Sequence, residues 1–85
     1  MKNIVILGST GSIGTQALDI VSRLPEKLRV VGLAANNNSE LLANQANTYR
    51  VPNVCIGDSE RVSDLRSRLE YPANVHVGVD GMSAI

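Results

Sequence analysis

Apolar residues along this chain fall into short continuous runs separated by stretches with helical spacing. Asn3-Ile4-Val5-Ile6-Leu7 is nearly all apolar and stops at Gly8, the pattern of a strand buried on both faces. Ile13, Ala17, Leu18, Ile20, Val21 and Leu24 then recur at helical intervals, and Pro25 closes the helix they predict. Arg29 to Ala35 is a second apolar run, followed by a polar turn at Asn36-Asn37-Asn38. Ser39 is a suitable N-cap for a second helix carrying Leu41, Leu42, Gln45, Ala46 and Tyr49 on its apolar stripe. Val54-Cys55-Ile56 reads as a third strand ending at Gly57. Ser59 caps a third helix through Leu69, with Val62, Leu65 and Leu69 on one face. Val75-His76-Val77-Gly78 reads as a fourth strand, and the chain ends at Ile85 where a further helix would begin.

Strands alternating with helices predict a right-handed parallel α/β sheet. A doubly wound dinucleotide domain needs two βαβαβ halves, and this pattern supplies one half and the start of another. The expected fold is therefore a Rossmann-like parallel sheet with flanking helices. Residues 1–85 are expected to form the N-terminal part of such a domain and to leave it incomplete.

Composition sharpens this picture by exclusion. The chain has 85 residues, no Phe or Trp, and aromatic rings only at Tyr49 and Tyr71. Its core must be built from Ile, Val, Leu and Ala, the mixture of strands covered by helices. Eight basic and eight acidic side chains give a formal net charge of zero, so there is no basic field for nucleic acid or an anionic membrane. The apolar run Ile4 to Leu7 is far too short for a signal peptide or a membrane span, and a cytoplasmic location is expected. Cys55 is alone, which excludes an internal disulfide and any CxxC site.

The candidate chemistry lies in Gly8-Ser9-Thr10-Gly11-Ser12-Ile13-Gly14, between a predicted strand and a predicted helix. Gly8 permits a sharp exit from the strand. Gly11 lets backbone approach a phosphate with no Cβ between them, and Gly14 lets the helix pack closely on the sheet. The N–H groups of the helix's first turn, at the positive end of its dipole, then face a pyrophosphate. Thr10 and Ser12 add hydroxyls. The spacing is G-x-x-G-x-x-G, and no Gly-Lys-Ser/Thr follows to make a Walker loop. The bland alternative is a glycine-rich turn that binds nothing.

An Asp or Glu at the end of the second strand marks NAD specificity, through the ribose 2′-hydroxyl. No acid stands between Leu33 and Ser39, and no cation either. The absent carboxylate permits a 2′-phosphate, which Asn36, Asn37, Asn38 and Ser39 can hydrogen-bond without neutralising it. A solvated turn with a helix cap accounts for the same residues.

The segment Ile6-Leu7-Gly8-Ser9-Thr10-Gly11-Ser12-Ile13-Gly14-Thr15-Gln16, with Leu18-Asp19-Ile20-Val21 after it, resembles the 1-deoxy-D-xylulose 5-phosphate reductoisomerase family. Pro25-Glu26, Arg29 to Ala35 and Glu40-Leu41-Leu42 extend the resemblance over about the first 56 residues. It implies NADPH as cofactor, with Thr10, Gly11, Ser12 and Ile13 around the pyrophosphate and its ribose. Asn36, Asn37 and Asn38 are implied to meet the 2′-phosphate. At those three positions the family usually shows Gly, then Lys or Arg, then Asn, and this chain keeps only Asn38. The resemblance further implies an enzyme that rearranges a phosphorylated ketose and reduces the product with NADPH. It also implies a requirement for Mg or Mn and a homodimeric enzyme. Its metal ligands, catalytic residues and substrate site are expected beyond residue 85. Two alternatives stand beside it: the N-terminal part of another NAD(P)-dependent oxidoreductase, and a non-catalytic dinucleotide sensor.

Other polar residues carry less. His76 has no second His or Cys nearby and reads as structural, and Cys55 reads as a small core residue. Asp58, Glu60 and Asp64 are interspersed with arginines and read as a solvated face, with Asp64 and Arg68 spaced for an ion pair. Asp19 is expected to be exposed.

Overall fold

The computed structural model describes residues 1–78. Strand β1 covers Lys2–Leu7, helix α1 Ser12–Arg23, β2 Leu28–Ala35, α2 Ser39–Tyr49 and β3 Asn53–Ile56. A 3-10 turn at Ser59–Arg61 leads into α3, Val62–Arg68, and β4 is Asn74–Val77. The strands form one parallel sheet in the order β1-β2-β3-β4. Each strand therefore adds on the same side of its predecessor, and right-handed crossovers in one direction put the connecting helices on one face. Contacts between neighbouring helices agree: the Tyr49 hydroxyl donates to the Leu18 carbonyl at 3.3 Å, and Asn47 Nδ2 to the Arg68 carbonyl at 3.0 Å.

The core between helices and sheet is small and aliphatic, as the composition demands. Ile6, Leu18, Val21, Val30, Leu33, Ala35, Leu42, Ala43, Ala46, Val51, Val54, Ile56 and Leu65 make up its buried cluster. Ile6 on β1 is buried, whereas its neighbours Val5 and Leu7 are 40% and 65% exposed. A strand's side chains alternate between faces, so β1 buries one apolar face and leaves the other open. Among the described residues it is also an edge strand, paired with β2 alone.

Local details depart from the sequence pattern where side chains compete for caps. Asn38, not Ser39, is the N-cap of α2: its Oδ1 accepts from the Leu41 N–H at 3.2 Å. Ser39 is the first helical residue and is buried, because its hydroxyl donates to Asp64 Oδ2 at 2.5 Å. Asp64 is accordingly a link between α2 and α3 and not merely part of a solvated face. The third helix likewise starts from Asp58, whose carboxylate accepts from the Glu60 N–H at 3.0 Å, and the chain makes a 3-10 turn before α3. Strand β4 ends at Val77, and Gly78 leaves it at φ +79°. The helix expected to begin near Ile85 falls outside the described residues.

Candidate functional site: the glycine turn and the ends of β2 and β3

The β1–α1 turn is held from two directions. Gly8 N–H and Ser9 N–H both donate to the Ala34 carbonyl at the end of β2, at 2.8 and 2.9 Å. From α2, Gln45 Nε2 donates to the Ser9 carbonyl at 2.8 Å, across 36 residues of sequence. Gly8 turns the chain at φ +74°, a conformation that costs side-chain-bearing residues. Gly14 is where α1 meets this turn. A Cβ there would overlap the Gly8 carbonyl oxygen and lie 2.6 Å from Ser9 Cα. Gly11 differs, because a Cβ would meet only the Gly8 carbonyl oxygen, at 3.4 Å, and would otherwise project outward. Two of the glycines thus serve the fold, and Gly11 serves the open surface.

That surface is the start of α1. Gly11 occupies the N-cap position with no side-chain cap, and no acidic residue stands in the first turn. The N–H groups of Ser12, Ile13 and Gly14 find no acceptor among the described residues. Free first-turn donors at the positive end of a helix dipole attract an anion. A cleft of about 410 Å³ opens there, lined by Ile6, Leu7, Gly8, Gly11, Ser12, Ile13, Gly14 and Ala17. Ile13 is 81% exposed, an apolar wall beside the donors. Thr10 is half-buried and Ser12 exposed.

Asn36, Asn37 and Asn38 come together one strand away, beyond the end of β2. Their loop is braced by the next one: the Asp58 N–H donates to the Asn36 carbonyl at 2.8 Å, and the Gly57 N–H to the Ala35 carbonyl at 2.9 Å. A Cβ at Gly57 would lie 2.6 Å from Asn36 Oδ1, so the asparagine side chain uses space that glycine leaves free. A second cleft of about 390 Å³ is lined by Asn37, Asn38, Ser39, Glu40, Arg61, Asp64 and Arg68. Its chief ion pair is Arg68 Nε to Asp64 Oδ2 at 2.9 Å. The Ser39 hydroxyl, and after it Arg68, hold the Asp64 carboxyl below the usual carboxylate range.

Both clefts therefore open at the carboxyl ends of the parallel strands, where open α/β sheets bind ligands. The sequence pattern missed Gln45, Ser9 and Arg61 as parts of this arrangement. A glutamine on the apolar stripe of α2 is a legible signal, since a buried amide needs a partner. Nothing in the chain's local pattern marks Arg61. The remaining polar residues sit apart from the clefts. His76 Nε2 lies 3.4 Å from Asn53 Oδ1, Cys55 is fully buried with its thiol pushed up by burial, and Asp19 is exposed in a 2.9 Å pair with Arg23.

The family model described as 1-deoxy-D-xylulose 5-phosphate reductoisomerase matches residues 4–85, nearly the whole chain. This chain belongs to that family. The reductoisomerase 1 of Bacillus anthracis is 46% identical over 85 residues, covering all of this chain and 22% of that protein. The reductoisomerase of Caldanaerobacter subterraneus subsp. tengcongensis is 44% identical over the same span, again 22% of its length. The solved reductoisomerase from Zymomonas mobilis in complex with NADPH superposes with a TM-score of 0.87 at 31% identity, over 93% of this chain and 21% of that one. A reductoisomerase solved with magnesium has the same fold, at a TM-score of 0.87 and 23% identity. The chain thus spans about a fifth of the relatives it matches. Its four parallel strands and helices are a Rossmann-like fragment corresponding to their N-terminal region.

Proposed function

We propose that this chain is the N-terminal NADPH-binding segment of a reductoisomerase that converts 1-deoxy-D-xylulose 5-phosphate to 2-C-methyl-D-erythritol 4-phosphate, a step toward isoprenoid precursors. The observation that carries this reading is the uncapped first turn of α1, set in a glycine cradle with no Cβ over its donors. The relative solved with NADPH supports it. In this reading Gly8, Thr10, Gly11, Ser12, Ile13 and Gly14 receive the pyrophosphate and its ribose. Asn36, Asn37 and Asn38 meet the adenosine ribose and its 2′-phosphate. Asn38 spends its Oδ1 on the Leu41 N–H, so its amide nitrogen is the group left to donate.

When bound, NADPH supplies the hydride of the reduction. This segment's own contribution is binding and orientation, since the donors at α1 fix the pyrophosphate and Ile13 walls one side. Residues 1–85 are the N-terminal part of an NADP-binding domain that the rest of the enzyme completes. The exposed apolar residues Val5 and Leu7, and an edge of β1 with no partner among the described residues, support this. The divalent cation's ligands, the phosphorylated-ketose site and the homodimer contacts belong to that remainder, and the enzyme is cytoplasmic. Among the described residues no helix is long and apolar enough to cross a membrane.

The test is NADPH binding by fluorescence titration, in the wild type and in Gly11→Val. The valine side chain would project into the donors' approach while its Cβ makes an ordinary contact, so the fold survives and binding is lost. Unchanged NADPH affinity in a folded Gly11→Val protein would remove the proposed pyrophosphate site.

A further inference from the structure

Recognition of a 2′-phosphate calls for positive charge, and the loop after β2 offers none. Asn36, Asn37, Asn38 and Ser39 are neutral, and Glu40 follows them. Hydrogen bonds from neutral amides leave the phosphate's charge uncompensated, and charge-assisted bonds are roughly twice as strong. The tertiary structure brings a cation to this place from another strand. Strand β3 lies beside β2, its loop is bonded to the Asn36 loop through Asp58, and Arg61 at the end of the 3-10 turn lines the same cleft as Asn37, Asn38 and Ser39.

The cleft contains two arginines and two acids, and their pairing separates them. Arg68 is engaged by Asp64 at 2.9 Å, and that carboxylate also takes the Ser39 hydroxyl. Arg61 forms no ion pair among the described residues, though it lies close enough to Asp64 to help lower its pKa. Glu40 is exposed in the first turn of α2, where water screens it. Arg61 is the guanidinium in this cleft with its fork of donors uncommitted.

We propose that Arg61 is the specificity-determining residue for NADP over NAD, placing its guanidinium against the 2′-phosphate from the loop after β3. The proposal rests on the nucleotide site described above. Its test separates the two by using adenine nucleotides that differ only in that phosphate: adenosine 2′,5′-bisphosphate and 5′-AMP, titrated calorimetrically into the full-length enzyme. In the wild type the bisphosphate binds more tightly, and the difference shrinks as salt is raised. Arg61→Gln weakens the bisphosphate about tenfold and leaves 5′-AMP within about twofold, as expected for loss of one charge-assisted contact. Arg61→Lys keeps part of the discrimination, because a point charge lacks the fork. Equal weakening of both nucleotides in Arg61→Gln, or no weakening of either, would overturn the assignment while leaving the nucleotide site standing. A wild-type protein that binds neither nucleotide would bring down the site itself, and Arg61's role with it.

Discussion

Gly14→Ala isolates the close packing of α1 on the glycine turn. The added methyl overlaps the Gly8 carbonyl oxygen and approaches Ser9 Cα to 2.6 Å and the Ser9 carbonyl carbon to 2.8 Å. All three are backbone atoms, so no side chain can swing aside. Nor can the turn retreat freely, since Gly8 and Ser9 are bonded to the Ala34 carbonyl and Ser9 accepts from Gln45. Overpacking of a tight interior costs about 1–3 kcal/mol, and rigid neighbours place this site toward the upper end. Alanine's better helix propensity returns about 0.5–1 kcal/mol, which leaves a net loss near ~2 kcal/mol. In a domain of this size each kcal/mol lowers Tm by about 4–8 °C, so a fall of ~8–16 °C is expected by circular dichroism. Gly11→Ala is the control: its Cβ meets the Gly8 oxygen at 3.4 Å and nothing else, and Tm should move by only a few degrees. A Gly14→Ala protein within ~0.5 kcal/mol of wild type, or a Gly11→Ala protein equally damaged, would refute the assignment of Gly14 to packing and Gly11 to the open surface.

Asn37→Lys places a cation in the β2 loop beside the cleft that holds Arg61, and should tighten NADPH more than NADH; an equal change for both would mean that position 37 does not meet the 2′-phosphate. Asp64 has a folded pKa held down first by the Ser39 hydroxyl and then by Arg68. Its contribution to stability is present above the unfolded carboxylate pKa and is lost as pH falls through the lowered folded value. Ser39→Ala should therefore raise the Asp64 pKa in a carbon-detected NMR titration and reduce stability mainly above that acidic window; an unmoved titration would sink this link. Cys55 is fully buried and burial raises its thiol pKa, so a thiol reagent should modify it only on unfolding. Rapid labelling of the native protein would contradict the packing of β3.

Much of this architecture is legible along the chain because it is local. Continuous apolar runs ending at Gly8 and Gly57, and helical spacing closed by Pro25, define elements from neighbouring residues alone. The glycine turn is legible for the same reason: Gly8, Gly11 and Gly14 do their work within one strand-to-helix connection. Competition between adjacent groups already blurs that reading. Asn38 and Ser39 are both good caps, and what decides between them is Asp64, 25 residues from Ser39, which claims the serine hydroxyl. Strand order, the Gln45 hold on Ser9 and the arrival of Arg61 beside Asn37 are further removed from any local signal. They depend on which strand lies next to which, and that is set by how the whole aliphatic core packs. Local periodicity determined the elements and the glycine turn between β1 and α1. Only the packed sheet decided which distant side chains brace that turn and which cation stands at the end of β2.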